Sequence, residues 1–188
     1  MDLDDSSTKP WTVLARSTLH RNAYFSVLQQ DVAIEDGDRR EYFTIDFPRP
    51  AVGVVARRGT DILLIRQYRF IVGEYVWAVP SGGVAEGETL QVAAAREFEE
   101  ETGYKARTLR PLMGCYASYG CSNQRFEIFV ADDVVPGSGR FDESEVMGVR
   151  WFSRQEVLEL VLRNGIVDNL SLSPILLALL EDTLACPR

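Results

Sequence analysis

GGVAEGETLQVAAAREFEEETGY, residues 82–104, is the stretch around which the rest of the chain is organised. Residues 90–102 are strong helix formers without proline, and Gly103 follows as a helix stop, so this stretch predicts one helix. On that helix an i, i+3, i+4 spacing brings three carboxylates to one face, those of Glu97, Glu100 and Glu101. Like charges at this spacing repel each other, whereas a hard divalent cation prefers clustered carboxylate oxygens. The pattern favours a cation site, and a solvated acidic face is the plainer alternative.

The spacing of the residues in this stretch resembles the Nudix box, G-x5-E-x7-R-E-U-x-E-E-x-G-U, where U is a bulky apolar residue. All fixed positions are filled, by Gly82, Glu88, Arg96, Glu97, Phe98, Glu100, Glu101, Gly103 and Tyr104. Tyr104 is a mild departure because its side chain is partly polar. The chain therefore resembles the Nudix hydrolases. The Glu143-x-Glu145 pair before the last predicted strand resembles in particular their ADP-ribose and sugar-nucleotide pyrophosphatase branch.

The remaining sequence predicts an α/β fold, an α/β/α sandwich with a mixed sheet, and the resemblance implies the same architecture. Residues 1–9 are expected to be disordered, 10–48 to form a small antiparallel β arm, and 49–188 to form the Nudix domain. The arm is too small to be stable alone, so it must lie on the main domain or on a second subunit. These strands and the resemblance together lead us to expect a homodimer in which the arm crosses to the partner.

Beyond the central helix, two further helices are predicted. The first opens with a capping box at Ser153 and runs to about Asn164, and the second spans 175–184 with Ser173 as N-cap and Pro174 at its first position. Residues 132–144, which are acidic and rich in glycine, are predicted to be a mobile loop.

Composition narrows the possible partners and compartment. The net charge of −8 without a basic stripe argues against nucleic acid as the main partner, and no apolar run is long enough to span a membrane. Three cysteines without metal-type spacing, Cys115, Cys121 and Cys186, are expected to be free thiols. Together with an acidic N-terminus unlike a targeting segment, they favour the cytoplasm.

The resemblance implies a set of catalytic and metal-binding residues. It implies Mg²⁺, or alternatively Mn²⁺, bound by the carboxylates of Glu97, Glu100, Glu101 and Glu145 and by the backbone carbonyl of Ser81. It implies Glu143 as the general base, with Glu100 as a competing candidate, and Asp142 beside it leaves the register open by one or two positions. Arg96 is placed to orient a neighbouring carboxylate, and Glu88 to pair with Arg96 and fix the loop before the helix.

Candidate substrate-binding residues are spread along the chain. Arg69 resembles the phosphate-binding arginine of the branch, since a guanidinium suits bidentate phosphate contacts; Arg39 and Arg40 are weaker candidates. Gly82 allows the backbone to approach a ligand closely. Trp11, Tyr24 and Phe25 could stack on a base, although core or dimer packing is the more common use of aromatic residues.

One loop departs from the ADP-ribose branch. Tyr119, a further candidate substrate-binding residue, stands where that branch usually has a proline, and Gln124 stands where a glutamate is common. The interpretation is therefore a pyrophosphatase that cleaves a nucleoside diphosphate linked to another moiety, such as ADP-ribose or a sugar nucleotide, with dinucleoside polyphosphates as an alternative. A Nudix-fold sensor that binds a nucleotide without cleaving it is the non-enzymatic alternative. His20 is the sole histidine, which argues against a histidine-dependent nucleophilic triad.

Overall fold

The structure is a computed structural model that describes residues 11–34 and 37–185. The expected disordered segment 1–9 and Cys186 lie outside these residues. The chain falls into two compact units. Unit 1 is the chain up to Pro48 together with Ser118–Gln124, and unit 2 is Arg49–Ala117 together with the chain from Arg125 onward. The domain boundaries drawn from the sequence stay a prediction.

Unit 1 is built on a three-stranded antiparallel sheet in the order β1-β2-β3, with β1 (Trp11–Arg21), β2 (Ser26–Ile34) and β3 (Arg39–Asp46). The segment Ser118–Gln124 attaches to β3 and to the residue after it through hydrogen bonds. The Ile45 N–H donates to the Cys121 carbonyl at 2.8 Å, and the Phe47 N–H donates to the Asn123 side-chain oxygen at 2.7 Å. The loop that carries Tyr119 is thus part of unit 1.

Unit 2 contains nine strands and three helices within the described residues. The strands are β4 (Ala51–Arg58), β5 (Asp61–Arg69), β6 (Glu74–Ala78), β7 (Ser81–Gly83), β8 (Tyr104–Ala106), β9 (Arg110–Tyr116), β10 (Arg125–Ala131), β11 (Val134–Pro136) and β12 (Val146–Phe152), and the helices are α1 (Leu90–Thr102), α2 (Arg154–Leu162) and α3 (Asn169–Ala185). The main sheet has the order β12-β5-β4-β10-β9, with β6 beside β5 and β7 beside β4. β10 runs parallel to β4 and the other pairs are antiparallel, so the mixed sheet is confirmed.

Helices cover both faces of this sheet, as an α/β/α sandwich requires. Along β4 and β5 successive apolar side chains alternate between two cores, which explains why both strands are almost continuously hydrophobic. One core packs Val54 and Leu63 against α1, where Phe98 is fully buried. The other packs Val55 and Leu64 against α2 and α3.

The ends of α1 and α2 follow their sequence signals closely. The Thr89 side chain accepts a hydrogen bond from the Val92 N–H, and Gly103 ends α1 with φ = 71°. Ser153 and Glu156 form the predicted capping box of α2. The left-handed residue after α2 is Asn164, with φ = 56°.

Two predictions about unit 2 are wrong. α3 begins at Asn169, so Pro174 lies inside it. The reason is a cap further upstream, because the Asp168 carboxylate accepts hydrogen bonds from the Leu170 N–H and the Ser171 hydroxyl. The supposed mobile loop also contains β11, which pairs with β8. No helix in the described part of the chain has the length and apolar character needed to cross a membrane.

Candidate functional site

Helix α1 meets strand β7 through two carboxylates. Glu101 is only 4% exposed, and its carboxylate accepts hydrogen bonds from the Ser81 N–H at 2.6 Å and from the Gln67 side-chain amide at 2.9 Å. Glu97 lies against Gly82 so closely that a Cβ atom at position 82 would be 2.1 Å from the Glu97 carboxyl carbon. A residue with any side chain at position 82 would therefore displace the Glu97 carboxylate.

Arg96 ties the loop before α1 to the helix. Its guanidinium forms two hydrogen bonds of 3.0 Å with the Glu88 carboxylate, and it donates to the Gly83 carbonyl at 3.0 Å. Glu88 in turn accepts from the Ala85 N–H at 3.0 Å, and its side chain is only 11% exposed. The expected pairing of Glu88 with Arg96 is present in this geometry.

The same guanidinium holds two of the three clustered glutamates. Arg96 Nη1 donates to Glu97 Oε1 at 2.7 Å and to Glu100 Oε2 at 3.1 Å. The three glutamates differ in exposure: Glu101 is buried, the Glu97 side chain is 17% exposed, and the Glu100 side chain is 55% exposed. The acidic face therefore runs from the sheet outward to solvent.

Burial and Arg96 push the pKa values of these carboxyls in opposite directions. Burial raises the pKa of Glu101 to about 7, partly offset by the Ser81 N–H, and burial also raises the pKa of Glu97. The hydrogen bonds that Arg96 donates lower the pKa of Glu88 to about 2, and donation to its carboxylate partners, Glu88 first, raises the pKa of Arg96. Glu101 is thus a desolvated carboxyl, the environment in which a nearby cation interacts most strongly with a carboxylate.

Two more of the predicted residues act on these carboxyls. The positive charge of Arg69, at the end of β5, lowers the pKa of Glu101, and the negative charge of Glu145 raises the pKa of Glu97. In both cases the charge effect is smaller than that of burial. Arg69 and Glu145 therefore lie near the α1 carboxylates, although neither is close to them in sequence.

The turn before β12 separates the roles of its acidic residues. The Asp142 carboxylate accepts hydrogen bonds from the Ser144 N–H at 2.9 Å and the Ser144 hydroxyl at 2.5 Å, which lower the pKa of Asp142. The Asp142 N–H donates to the Glu100 carbonyl at 2.9 Å and so ties the turn to α1. Asp142 thus stabilises the turn through its hydrogen bonds, while Glu143 is exposed at the tip of the turn.

The residues of this site fit a hard divalent cation in their chemistry. Carboxylate oxygens are the ligands such ions prefer, and Glu97 lies in a cradle that only glycine at position 82 leaves open. In residues 11–34 and 37–185, however, no three histidine, cysteine, aspartate or glutamate side chains are gathered into a metal-binding cluster. Glu97 and Glu100 are instead held by Arg96. The ligand assignments to Glu97, Glu100, Glu101, Glu145 and Ser81 stay predictions.

Several predicted substrate-binding residues belong to unit 1. These residues are Trp11, Arg39, Arg40 and Tyr119. Within unit 1, the Arg40 guanidinium lies 6.0 Å from the Trp11 ring centroid, and Trp11 packs edge-on against Tyr42. Packing within the sheet is thus an observed use of Trp11, and the substrate roles of all four residues stay predictions.

Sequence reasoning missed Gln67. This residue is 2% exposed and donates to Glu101, yet the sequence showed it only as part of the segment leading to Arg69. The available signal was the alternation along β5, in which Leu63, Ile65 and Gln67 share a face. A polar residue in phase with buried aliphatic residues must find a polar partner.

Comparison with known proteins agrees with this geometry. A family model described as the NUDIX domain matches residues 47–169. The chain is 31% identical over 155 residues to the CMP-5'-(N-acetyl-N-hydroxy-3-aminopropyl)phosphonate hydrolase of Streptomyces rubellomurinus, covering 82% of this chain and 75% of that protein. It is 24% identical over 157 residues to the ADP-ribose pyrophosphatase of Bacillus subtilis, covering 82% of this chain and 85% of that one. A crystal structure of an ADP compounds hydrolase is similar with a TM-score of 0.80 and 26% identity, over 90% of this chain and 92% of the other.

Proposed function

The chain belongs to the NUDIX family, and from that membership we propose that it is a Mg²⁺-dependent pyrophosphatase acting on a nucleoside diphosphate linked to another moiety. The products would be a nucleoside monophosphate and a phosphorylated partner. The observation that carries the proposal is the docking of α1 on β7, with Glu101 buried against the Ser81 N–H and Glu97 lodged at Gly82. A solvated acidic face would need neither the burial nor the cradle.

The metal ligands in this proposal are Glu97, Glu100, Glu101 and Glu145, with the Ser81 carbonyl. Bound divalent cations would supply positive charge against the diphosphate and make a water molecule more acidic. Arg96 orients Glu97 and Glu100 through its two hydrogen bonds, and Glu88 fixes Arg96 in turn. Arg69, close enough to influence Glu101, would bind a phosphate oxygen of the substrate. Catalysis is then mostly positioning and charge neutralisation.

The general base is proposed to be Glu143, with Glu100 as the alternative. Asp142 is committed to its hydrogen bonds with Ser144, which supports a base further along the turn. Glu145 influences Glu97 and so suits a metal ligand better than a base. Glu143 is exposed at the tip of the turn, where a water molecule can reach it.

The substrate class is the nucleoside diphosphate derivatives, and ADP-ribose is the first candidate. Support comes from the ADP-ribose pyrophosphatase and ADP compounds hydrolase among its relatives. The similarity to a hydrolase of a CMP-linked phosphonate, together with Tyr119 and Gln124 in place of the usual proline and glutamate, widens the choice to other nucleotides joined to a second group.

The test is a panel of ADP-ribose, sugar nucleotides, CMP-linked compounds and dinucleoside polyphosphates, assayed by phosphate release with a coupled phosphatase, with and without Mg²⁺. We expect Mg²⁺-dependent turnover of at least one member. Tight nucleotide binding without turnover under these conditions would contradict the proposal and favour the non-hydrolysing sensor.

Three variants of the turn test the assignment of the base. Glu143→Gln should lower kcat by about 10²- to 10⁴-fold, and Glu145→Gln should raise the Mg²⁺ concentration needed for half-maximal rate. Asp142→Asn is the matched control, because an asparagine oxygen can still accept the hydrogen bonds from Ser144. A Glu143→Gln enzyme with wild-type kcat would move the role to Glu100.

We also propose a homodimer in which the β arm contributes to the interface. The support is a set of large apolar side chains exposed on unit 1, including Trp11 at 44%, Leu14 at 46%, Leu19 at 53% and Phe43 at 53%. Exposed apolar surface of this kind is typical of an interaction site.

A further inference from the structure

The Gln67 side-chain amide has a hydrogen-bonded nitrogen and an oxygen without a hydrogen-bond partner among the described residues. It is 2% exposed, its amide nitrogen donates to Glu101 Oε1 at 2.9 Å, and its Oε1 atom has no hydrogen-bond partner among the described residues. A buried polar atom without a partner costs about 1–3 kcal/mol. An apolar residue would avoid that cost, so the retention of a glutamine in this core calls for a reason other than packing.

The geometry around Glu101 supplies that reason. The Gln67 amide donates to Glu101 Oε1, and the Ser81 N–H donates to Glu101 Oε2 at 2.6 Å. The two oxygens of Glu101 are thus fixed from two different strands, β5 and β7. With a single partner the carboxylate could rotate about its terminal torsion, which is broad for glutamate. With both partners the plane of the carboxylate is defined. The lone pairs of the Glu101 oxygens that accept no hydrogen bond then point in a fixed direction.

We propose that Gln67 is a positioning residue that orients Glu101 for cation binding. The proposal rests on the proposed function, because it takes Glu101 to be a metal ligand. Gln67 lies two residues before Arg69 on the same face of β5, so one strand would place both a partner for the metal ligand and a partner for the phosphate. Loss of such an outer partner typically weakens metal binding about 10- to 100-fold.

The test is the affinity for Mn²⁺ alone, measured without substrate by the loss of the electron paramagnetic resonance signal of free Mn²⁺. Gln67→Met keeps the length and bulk of the side chain and removes the amide. We expect Mn²⁺ to bind this variant about 10- to 100-fold more weakly, with the near-ultraviolet circular dichroism and thermal midpoint close to wild type, because the unsatisfied Oε1 is removed as well. Gln67→Leu serves as a second variant, and failure of both variants to fold would assign Gln67 a structural role and overturn the proposal.

Ser171→Ala is the matched control for loss of a buried hydrogen bond elsewhere. Ser171 is fully buried in α3, accepts from the Val79 N–H at 3.0 Å and donates to the Asp168 carboxylate at 2.9 Å. This variant should lose stability and keep the Mn²⁺ affinity of the wild type. Equal weakening of Mn²⁺ binding in Ser171→Ala and Gln67→Met would overturn the proposal.

A double-mutant cycle separates this proposal from the proposed function. Glu101→Gln alone should weaken Mn²⁺ binding, and adding Gln67→Met to it should change the affinity by no more than about twofold, because the two residues act through one contact. Wild-type Mn²⁺ affinity in Glu101→Gln would refute the metal site itself. Weakened binding in Glu101→Gln together with unchanged binding in Gln67→Met would refute only the role of Gln67.

Discussion

Gly82→Ala should lower activity on the order of 100-fold while leaving the fold intact. The new Cβ atom would stand 2.1 Å from the carboxyl carbon of Glu97 and 2.3–2.4 Å from its two oxygens. An ordinary contact needs at least 3.4 Å, so the carboxylate must move by more than about 1 Å. It sits at the end of a flexible side chain and moves more cheaply than the backbone, so the substitution acts on the position of Glu97.

The expected effects on stability and activity are very different in size. Gly82 has no positive φ, so alanine brings no backbone strain. Replacing glycine within a strand is mildly favourable, while the Glu97–Arg96 ion pair is weakened, and each effect is on the order of 1 kcal/mol. The thermal midpoint should therefore stay within about 4 °C. Misplacing a catalytic group by about 1 Å costs on the order of 100-fold in rate.

The assay compares kcat/KM at saturating Mg²⁺, Mn²⁺ affinity and the thermal midpoint for Gly82→Ala and Gly83→Ala. Gly83 is the matched control, because a Cβ at that position meets no atom within 4 Å and its φ is not positive. Gly83→Ala should behave like wild type. Retention of wild-type kcat/KM in Gly82→Ala, or an equal loss in both variants, would show that activity does not depend on the close contact of the Glu97 carboxylate with Gly82.

Three further predictions concern other links between structure and behaviour. Burial raises the pKa of Glu101 from 4.5 to about 7, so the folded state holds that proton more tightly than the unfolded state. In buffer with a chelator the free energy of unfolding should thus fall by up to about 3 kcal/mol between pH 4.5 and 7, and urea titrations of Glu101→Gln should show a smaller fall; an identical slope would place Glu101 in a wetter environment. Ser153→Ala should lower the free energy of unfolding by about 1 kcal/mol through loss of the α2 cap, without altering kcat/KM, and an unchanged urea midpoint would deny the cap its role. In analytical ultracentrifugation the whole chain should sediment as a dimer and a chain beginning at Ala51 should not, and a truncated chain that still dimerises would locate the interface in unit 2.

The sequence by itself determined the features that depend on neighbours in the chain. Helix α1 begins and ends where its cap residues predict, and Arg96 pairs with Glu88 and Glu100 as their spacing indicates. The box and the buried strands also identified the family and the sandwich. These signals are local because helix caps and i, i+4 pairs involve residues within one or two turns of each other.

Only the tertiary structure decided the contacts between distant segments. The burial of Glu101 depends on the packing of α1 on β5 and β7, and the pairing of β8 with β11 turned a supposed loop into a strand. The loop with Tyr119 joined unit 1 through hydrogen bonds to β3, more than seventy residues earlier in the chain. Strand pairing and burial depend on register between segments far apart in sequence, and local propensity carries no information about that register.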